Sequence, residues 1–396
     1  MITGPRQTLP IGQSDFAMLR QENCVYVDKT DLIFSLCESR EKIFLVRPSG
    51  FGKSLLVSTF ESLFKYGLRD FKGLAIEKLW HDKTYDVVRL DFSGLNEFAD
   101  GEDFQQRLQS FWLSKFAPLG FAYSHDSGID FIDQFKVWLD SREYSSLVVL
   151  IDEYDAPLTS NLDNQEVFDS ICRTLSKFYL ALKEYEGVLR FFFMTGMTKA
   201  CNAKIFSSFN ILKNISGKTQ YGSILGFTEE EIAYNFSAYL HRASQSLDIT
   251  DDDLMGQLAE HYGGYCFETR AEVHVFTPWS VLNFLDDPKS GFVNYWYGSG
   301  GKPAVLKKYL KNHLLRAPLE ASEHTEIRLQ ELYSSQAYDD IDANTLLLQT
   351  GYYTIRSVTD DGYAILGCPN REVAASVTKL YTDDQNGEKG PAVQVS

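Results

Sequence analysis

The chain has 396 residues, and its content of 44% hydrophobic and 14% aromatic residues indicates a folded globular protein of two or three domains. A net charge of −16, from 54 acidic and 38 basic residues, opposes non-specific binding to nucleic acid or to an anionic membrane. No signal-like or membrane-spanning run occurs, and six cysteines without paired spacing are typical of reduced thiols rather than a zinc site. We therefore expect a cytoplasmic protein.

The first informative segment is Arg-Pro-Ser-Gly-Phe-Gly-Lys-Ser at 47–54, which directly follows an apolar run at 43–46. A buried strand, a glycine-containing turn and Gly-Lys-Ser at a helix start are typical of a loop whose backbone amides surround a polyphosphate. Arg47 occupies the position where such loops usually have a first glycine, so the chain must leave the strand differently, helped by the fixed φ of Pro48. The alternative is a chance glycine turn before a helix.

We predict that this loop binds nucleotide, with Lys53 on the phosphates in a catalytic as well as a binding role and Ser54 on Mg²⁺. The other predicted nucleotide contacts are Arg47, Pro48, Ser49, Gly50, Phe51, Gly52 and Leu55. Apolar residues then recur at helical spacing up to Phe64, and Gly67 stands where a C-cap belongs.

Strands and helices alternate through the next part of the chain. The pattern predicts a strand at 87–92, helices at 102–116 and 129–141, a long helix at 165–186 and a short strand near 211–215. Such alternation predicts a parallel sheet with right-handed crossovers.

The second motif is the apolar run at 147–151, which is followed by Asp-Glu-Tyr-Asp-Ala-Pro. An unbroken run of this length suits a central strand of a parallel sheet, and acids at its C-terminal end lie where open α/β sheets bind ligands. We predict that Asp152 holds hydrated Mg²⁺ and that Glu153 orients the attacking water and partly deprotonates it. The alternative is that the acids cap a helix, and Asp155 in particular fits a turn or capping role equally well.

A third strand at 188–194 ends in Thr-Gly-Met-Thr-Lys. Thr195, Thr198 and Lys199 are candidates for a residue that senses the γ-phosphate, with Thr198 preferred, although a Thr-Gly turn after a strand is common. We expect the acidic strand to lie beside the strand that leads into the loop. Its carboxylates should then face Ser54 across about 4 to 7 Å, which leaves room for one hydrated Mg²⁺.

Beyond residue 226 the pattern becomes helical. Thr228 followed by three glutamates predicts a capped helix start, and helices are expected at 228–244, 251–262 and 278–286 as a lid. A basic helix at 302–315, a short helix at 344–349 and a hairpin predict a winged-helix-like module. The predicted hairpin strands are 352–355 and 363–366, with a turn at 360–362.

The basic helix is compatible with DNA binding, but the net negative charge of the chain favours the alternative that its basic residues form a solvent-exposed face. Those cations are Lys307, Lys308, Lys311 and Arg316. The tail from Thr382 is expected to be disordered.

Together these segments resemble the predicted AAA-ATPase-like family of bacterial and archaeal proteins, which is often fused to a C-terminal PD-(D/E)XK nuclease. The resemblance rests on Leu-Pro-Ile-Gly at 9–12, Val-Tyr-Val-Asp-Lys-Thr at 25–30, the loop at 47–54, Ile-Asp-Glu-Tyr-Asp-Ala-Pro at 151–157, Thr-Gly-Met-Thr-Lys at 195–199, Gly-Phe-Thr-Glu-Glu-Glu at 226–231, Pro-Trp-Ser-Val-Leu at 278–282 and Gln-Thr-Gly-Tyr at 349–352. It covers residues from about 9 to 370. Arg47 is usual in this family, whereas Ser49-Gly50 replaces its common basic pair.

The resemblance implies an additional-strand P-loop NTPase fold of the AAA/STAND-like class, with ATP and Mg²⁺ as ligands. The expected divisions are a nucleotide-binding domain at 1–225, a helical lid at 226–300, a winged-helix-like module at 301–370 and a tail at 371–396. No acidic pair followed by Glu-x-Lys appears in a late strand, so the chain is expected to be a nuclease-less member or an excised fragment.

Two functions follow from these expectations. The first is an ATPase that acts as a conformational switch on a protein partner or an absent nuclease. The second is a nucleotide-binding module that barely hydrolyses ATP and serves protein or nucleic-acid assembly. A nuclease is disfavoured because the carboxylate–lysine constellation is absent. ATP is preferred over GTP through the resemblance, since no Asn-Lys-x-Asp motif occurs, and the sequence does not indicate an oligomeric state.

Overall fold

The computed structural model describes residues 7–96, 98–199, 205, 207, 209–299, 305–306, 308–309, 325–332 and 341–377. These residues pack as two units. The first contains the described residues through Arg47 and those of Gly52–Ser216, and the second contains Pro48–Phe51 and most described residues from Gly217 onward. The predicted boundaries at 225, 300 and 370 stay predictions.

The first unit is built on a five-stranded sheet whose neighbouring strands are all parallel. Its strands are β1 (Lys42–Val46), β2 (Asp86–Asp91), β3 (Leu147–Asp152), β4 (Leu189–Gly196) and β5 (Leu212–Asn214). The strand order is β2-β3-β4-β1-β5. The predicted α/β class with a parallel sheet is thereby confirmed.

One prediction about this sheet is wrong: β3 does not neighbour β1, because β4 lies between them. Thr195 of β4 pairs with Leu45 of β1, and Met194 pairs with Ile151 of β3. The aromatic run of β4 is buried on both faces of the sheet, as is typical of an internal strand of a parallel sheet. β3 is still an internal strand, since β2 pairs with its other edge.

The helices of the first unit alternate with the strands as the sequence predicts. They are α1 (Phe16–Gln21), α2 (Thr30–Glu38), α3 (Lys53–Tyr66), α4 (Gly101–Phe116), α5 (Phe131–Asp140), α6 (Ala156–Ser160) and α7 (Gln165–Glu184). Asp100 and Asp130 cap α4 and α5 through their carboxylates, and Gly67 ends α3. The two aspartates supply acceptors for amides that a helix start leaves without partners.

The core of the first unit is aliphatic along β3 and aromatic around it. All six residues of β3 are buried. Phe60 of α3 packs against Phe191 and Phe193 of β4, each with a centroid distance of 4.9 Å, and α3 also contacts β2 and β3. Because a fully buried large apolar side chain stabilises a fold by about 1.5 to 3 kcal/mol, this packing fixes α3 and the sheet against each other.

The second unit contains short helices and a small sheet. Its helices are α8 (Glu229–Asn235), α9 (Ser237–Leu247), α10 (Asp251–Tyr262), α11 (Pro278–Asp286), α12 (Tyr295–Ser299), α13 (Leu329–Leu332), α14 (Ala343–Thr350) and a helical segment at 371–377. Thr228 and Glu231 form a capping box at α8. The single helix predicted at 228–244 is wrong, because the chain breaks at Phe236, whose φ of −112° is not helical.

The C-terminal sheet is antiparallel and has three strands, β6 (Thr325–Arg328), β7 (Thr354–Val358) and β8 (Tyr363–Gly367), in the order β6-β8-β7. The predicted hairpin is confirmed, with Gly362 at φ 84° in its turn, whereas the sequence did not indicate β6. The predicted basic helix lies mostly outside the described residues, as do Lys307, Lys311, Arg316 and the tail from Thr382. The winged-helix-like module stays a prediction.

Glu372 is a buried carboxylate in the second unit, with 4% of its surface exposed. It accepts hydrogen bonds from the Trp296 amide and the Ser280 hydroxyl, both at 2.8 Å. Burial raises the pKa of Glu372 to about 7, although these hydrogen bonds oppose the rise. Its carboxyl therefore titrates near neutral pH in the folded protein.

We expect the Glu372→Gln variant to lose stability less steeply with rising pH than wild type. The unfolded pKa of glutamate is near 4.3, so the folded state binds the proton more tightly. Its contribution is therefore complete below that pH and is lost as pH rises through about 7. Urea unfolding at pH 5 and pH 8 should show an extra loss of up to about 3 kcal/mol in wild type.

The exposed Glu22 provides the control, because Glu22→Gln removes the same charge at a site in the first unit, away from Glu372. That variant should follow the wild-type pH dependence. Equal pH slopes for wild type and Glu372→Gln would contradict the assignment.

Candidate functional site

The loop between β1 and α3 has two residues with positive φ, Gly50 at 84° and Gly52 at 96°. Gly52 is the N-cap of α3, and no side chain among the described residues caps this helix. The first helical hydrogen bond runs from the Leu56 amide to the Gly52 carbonyl (3.0 Å). The amides of the first turn therefore have no acceptor within the helix, which is the arrangement that favours an anion.

Arg47 lies at the exit from β1 and has only 2% of its surface exposed. Its Nη1 donates to the carbonyls of Val46 and Ser216, both at 2.9 Å, and the Ser216 hydroxyl accepts from the Val46 amide at 3.0 Å. Arg47 thus stabilises the backbone where the chain leaves β1, at the position where such loops usually have their first glycine. Its predicted contact with nucleotide stays a prediction.

Residues 48–51 pack with the second unit. The carbonyls of three consecutive residues accept N–H groups there: Ser49 from Trp296 Nε1 (3.2 Å), Gly50 from the Trp279 amide (3.3 Å) and Phe51 from the Gly226 amide (3.3 Å). The Phe51 ring is buried against Tyr265 and Phe267, at centroid distances of 4.9 and 5.2 Å. Phe51 therefore anchors this segment through its side chain and its carbonyl, and its predicted contact with nucleotide stays a prediction.

Asp152 ends β3 and has 1% of its surface exposed. Neither carboxylate oxygen accepts a hydrogen bond from the described residues, and Arg89 Nη2 lies 3.7 Å from Oδ2. Burial raises the pKa of Asp152, while the nearby Ser54 hydroxyl, Lys53 and Arg89 lower it. A buried carboxylate without a hydrogen-bond donor, beside a serine hydroxyl, is a fitting ligand set for a small hard cation.

Glu153 follows in the left-handed region, with φ at 49°. Such a conformation costs a residue other than glycine about 1 to 3 kcal/mol and persists only where neighbouring contacts impose it. Burial raises the pKa of Glu153, Lys53 lowers it, and Asp155, Asp152 and Asp91 raise it further. The acids thus share one electrostatic environment with Lys53.

The polar residues at the end of β4 take different positions. The Thr195 hydroxyl donates to the Leu45 carbonyl of β1 (2.7 Å), so it ties the two strands together. Thr198 is fully buried, and burial lowers the pKa of the neighbouring Lys199. Of the predicted sensor residues, Thr195 is thus engaged by the backbone of the sheet, and the predicted role of Thr198 stays a prediction.

Asp155 and Tyr154 make contacts that the sequence did not reveal. The Asp155 carboxylate accepts the amides of Met197 (3.2 Å) and Thr198 (2.8 Å), and the Tyr154 hydroxyl donates to the Thr198 carbonyl (2.7 Å). Asp155 is the N-cap of α6 by position, but its side chain makes no capping bond. Its partners lie more than forty residues away, beyond the reach of local sequence patterns.

Arg89 is the other residue that sequence analysis missed. It lies in β2 and reaches Asp152 at 3.7 Å and Glu61 at 3.5 Å. The only signal in the sequence is a charged residue within an apolar strand, and this does not identify its partners.

Gly196 has no space for a side chain. A Cβ at this position would lie 2.3 Å from Asp155 Oδ1 and 2.7 Å from the Tyr154 ring. We expect Gly196→Ala to destabilise the protein by about 1 to 3 kcal/mol, because either group must move. Gly94→Ala is the control, since a Cβ there meets no atom within 4 Å.

Urea unfolding of both variants checks this expectation. Gly94→Ala should stay within about 0.5 kcal/mol of wild type. A Gly196→Ala variant as stable as wild type would show that the segment is not packed as described.

The sheet order, the glycine loop before α3 and the acids at the end of β3 define a P-loop nucleotide-binding protein. Residues 10–206 match the family model described as "Predicted AAA-ATPase". Over these residues, the match confirms the resemblance to the predicted AAA-ATPase-like family that the sequence indicated.

Two further proteins are similar to this chain. "Uncharacterized protein in vnfD 5'region" of Azotobacter chroococcum mcd 1 is 28% identical over 379 residues, which are 94% of this chain and 70% of that protein. The solved structure of the Aeropyrum pernix ORC2 protein (ADPNP-ADP complexes) matches with a TM-score of 0.32 and 11% identity, over 97% of this chain and 96% of that one. A likeness this weak carries no argument. Within the described ranges, no helix is long and apolar enough to cross a membrane.

Proposed function

We propose that this protein hydrolyses ATP with Mg²⁺ and uses the reaction as a conformational switch on a protein partner or a nuclease. The observation that supports this best is the Asp152 carboxylate, which is buried beside Ser54 and Lys53 and accepts no hydrogen bond from the described residues. Burying such a group costs several kcal/mol unless a cation or donors compensate. The site is therefore suited to a ligand that brings positive charge.

Nucleotide binding would rest on the loop and the start of α3. The amides after Gly52 would surround the phosphates, and the Lys53 ammonium would neutralise the β- and γ-phosphate oxygens. Lys53 also lowers the pKa of Asp152, Glu153 and Asp155, so its charge already offsets theirs. Burial still raises the pKa of all three acids, so Lys53 limits that rise without reversing it.

Ser54 and Asp152 are the residues that would hold Mg²⁺. When bound, Mg²⁺ supplies neutralisation of phosphate charge and orientation of the phosphate oxygens. The Asp152 carboxylate and the Ser54 hydroxyl are both hard oxygen ligands of the kind that Mg²⁺ prefers. The expected separation of about 4 to 7 Å across the gap stays a prediction.

Glu153 would act as the general base. Its carboxylate would accept a proton from the attacking water while the water oxygen bonds to the γ-phosphorus and the bond to the β-phosphate oxygen breaks. Burial raises the pKa of Glu153 and so increases its basicity. Thr198 would contact the γ-phosphate from the end of β4, as predicted from the sequence.

The regulated partner is proposed to be a protein in the cytoplasm. The net charge of −16 disfavours a polyanion such as nucleic acid. Steady-state phosphate release with ATP and Mg²⁺ tests the proposal. Turnover supports the ATPase, whereas tight ATP binding without turnover would replace it with the assembly module that barely hydrolyses nucleotide.

We expect Lys53→Ala to abolish tight ATP binding, because the loop loses the cation that faces the phosphates. Isothermal titration with ATP and Mg²⁺ measures this. Lys78→Ala is the charge-matched control, since Lys78 is exposed and lies outside the loop. If Lys53→Ala bound ATP as tightly as wild type, the assignment of 47–54 as a phosphate-binding loop would be wrong.

We expect Glu153→Gln to bind ATP as wild type does and to lose turnover by at least about a hundredfold, since an amide cannot accept a proton from water. Phosphate release under single-turnover conditions measures this. Glu61→Gln removes a carboxylate that also faces Arg89 and should retain turnover. Unchanged release in Glu153→Gln would exclude Glu153 as the base.

A further inference from the structure

We propose that Asp155 is a positioning residue for hydrolysis, which holds the segment after β4 in a fixed relation to Glu153, with Tyr154 as its helper. The proposal rests on the ATPase function proposed above. Asp155 touches no reacting atom in this scheme, because its oxygens are occupied by backbone amides. It would act through Thr198.

The contacts form a clamp between the ends of two neighbouring strands. We define this clamp as Tyr154, Asp155 and the backbone of 196–198. Both carboxylate oxygens of Asp155 lie 3.2 Å from the Met197 amide, and one lies 2.8 Å from the Thr198 amide. The Tyr154 hydroxyl donates to the Thr198 carbonyl at 2.7 Å. Both polar groups of the Thr198 backbone are therefore held by the chain that follows Glu153.

The Asp155 carboxylate suits its surroundings both in charge and in size. Asp155 has 4% of its surface exposed and receives N–H donors, so the ionised form is the one that satisfies its neighbours. Gly196 permits the approach, because any Cβ there would lie 2.3 Å from Asp155 Oδ1. A neutral amide at 155 would turn an N–H₂ group toward one of the two amide donors.

The clamp also accounts for the strained backbone of Glu153. Glu153, with φ at 49°, directly follows β3, which is paired to β4. It directly precedes Tyr154, whose amide donates to the Thr195 carbonyl of β4 at 3.1 Å. Residues on both sides of Glu153 are thus bonded to the same strand, and the left-handed turn connects them. Loosening the clamp would release Glu153 from the geometry that water activation requires.

The test compares Asp155→Asn with wild type in the full chain. We expect turnover to fall about tenfold to a hundredfold, as a displacement near 1 Å can produce, while the Kd for ATP stays within about twofold. Glu268→Gln is the matched control. Glu268 is a fully buried carboxylate of the second unit that accepts the Arg270 and Val273 amides at 2.7 and 3.1 Å, and its loss should leave turnover within about twofold.

A second, milder variant tests the clamp in case Asp155→Asn does not fold. Tyr154→Phe removes one hydroxyl and keeps the ring, and it should lower turnover by about two- to fivefold at unchanged ATP affinity. Hydrogen exchange of the Met197 and Thr198 amides should accelerate in Asp155→Asn and stay unchanged in Glu268→Gln.

The outcomes separate this inference from the ATPase proposal. If wild type hydrolyses ATP and Asp155→Asn hydrolyses it at the same rate, the positioning role is overturned and the ATPase function stands. Loss of ATP binding in Asp155→Asn also overturns it, because Asp155 would then belong to the binding site. Absence of turnover in wild type defeats the ATPase function and this inference with it.

Discussion

The placement of β4 between β1 and β3 is the constraint on which the candidate site depends. Parallel pairing brings the C-terminal ends of all three strands to one edge of the sheet, so the glycine loop, the acids and the Thr-Gly segment emerge together. The Thr195 hydroxyl strengthens the join to β1, and the Asp155 carboxylate strengthens the join to the turn after β3. The site is therefore built by strand order first and by side chains second.

Charge is distributed unevenly at this edge. Burial raises the pKa of Asp152, Glu153 and Asp155, the charge of Asp91 raises the pKa of the first two further, and Lys53 lowers the pKa of all three. Such an excess of buried negative charge is unfavourable without compensation. Under the proposed function, the cation that accompanies the nucleotide would compensate the charge of Asp152, while Lys53 and the loop amides would face the phosphates.

Most strands and helices were predictable because their signals are local. The apolar runs of β3 and β4, the cap at Thr228 and the glycine after α3 lie within a few residues of the features they specify. The order of β3 and β4, the break at Phe236 and the strand β6 depend on long-range packing, which a single sequence does not encode in its periodicity. The same reason hid Arg89 and the partners of Asp155.

The left-handed backbone at Glu153 has a consequence for engineering this protein. Glycine would adopt that conformation without penalty, so a laboratory selection for heat resistance alone would favour replacing the glutamate. The resulting protein would be more robust and would lack the acid at the end of β3. At Glu153 the residue that would be most stable differs from the residue that supplies the acid, and the positive φ identifies this position.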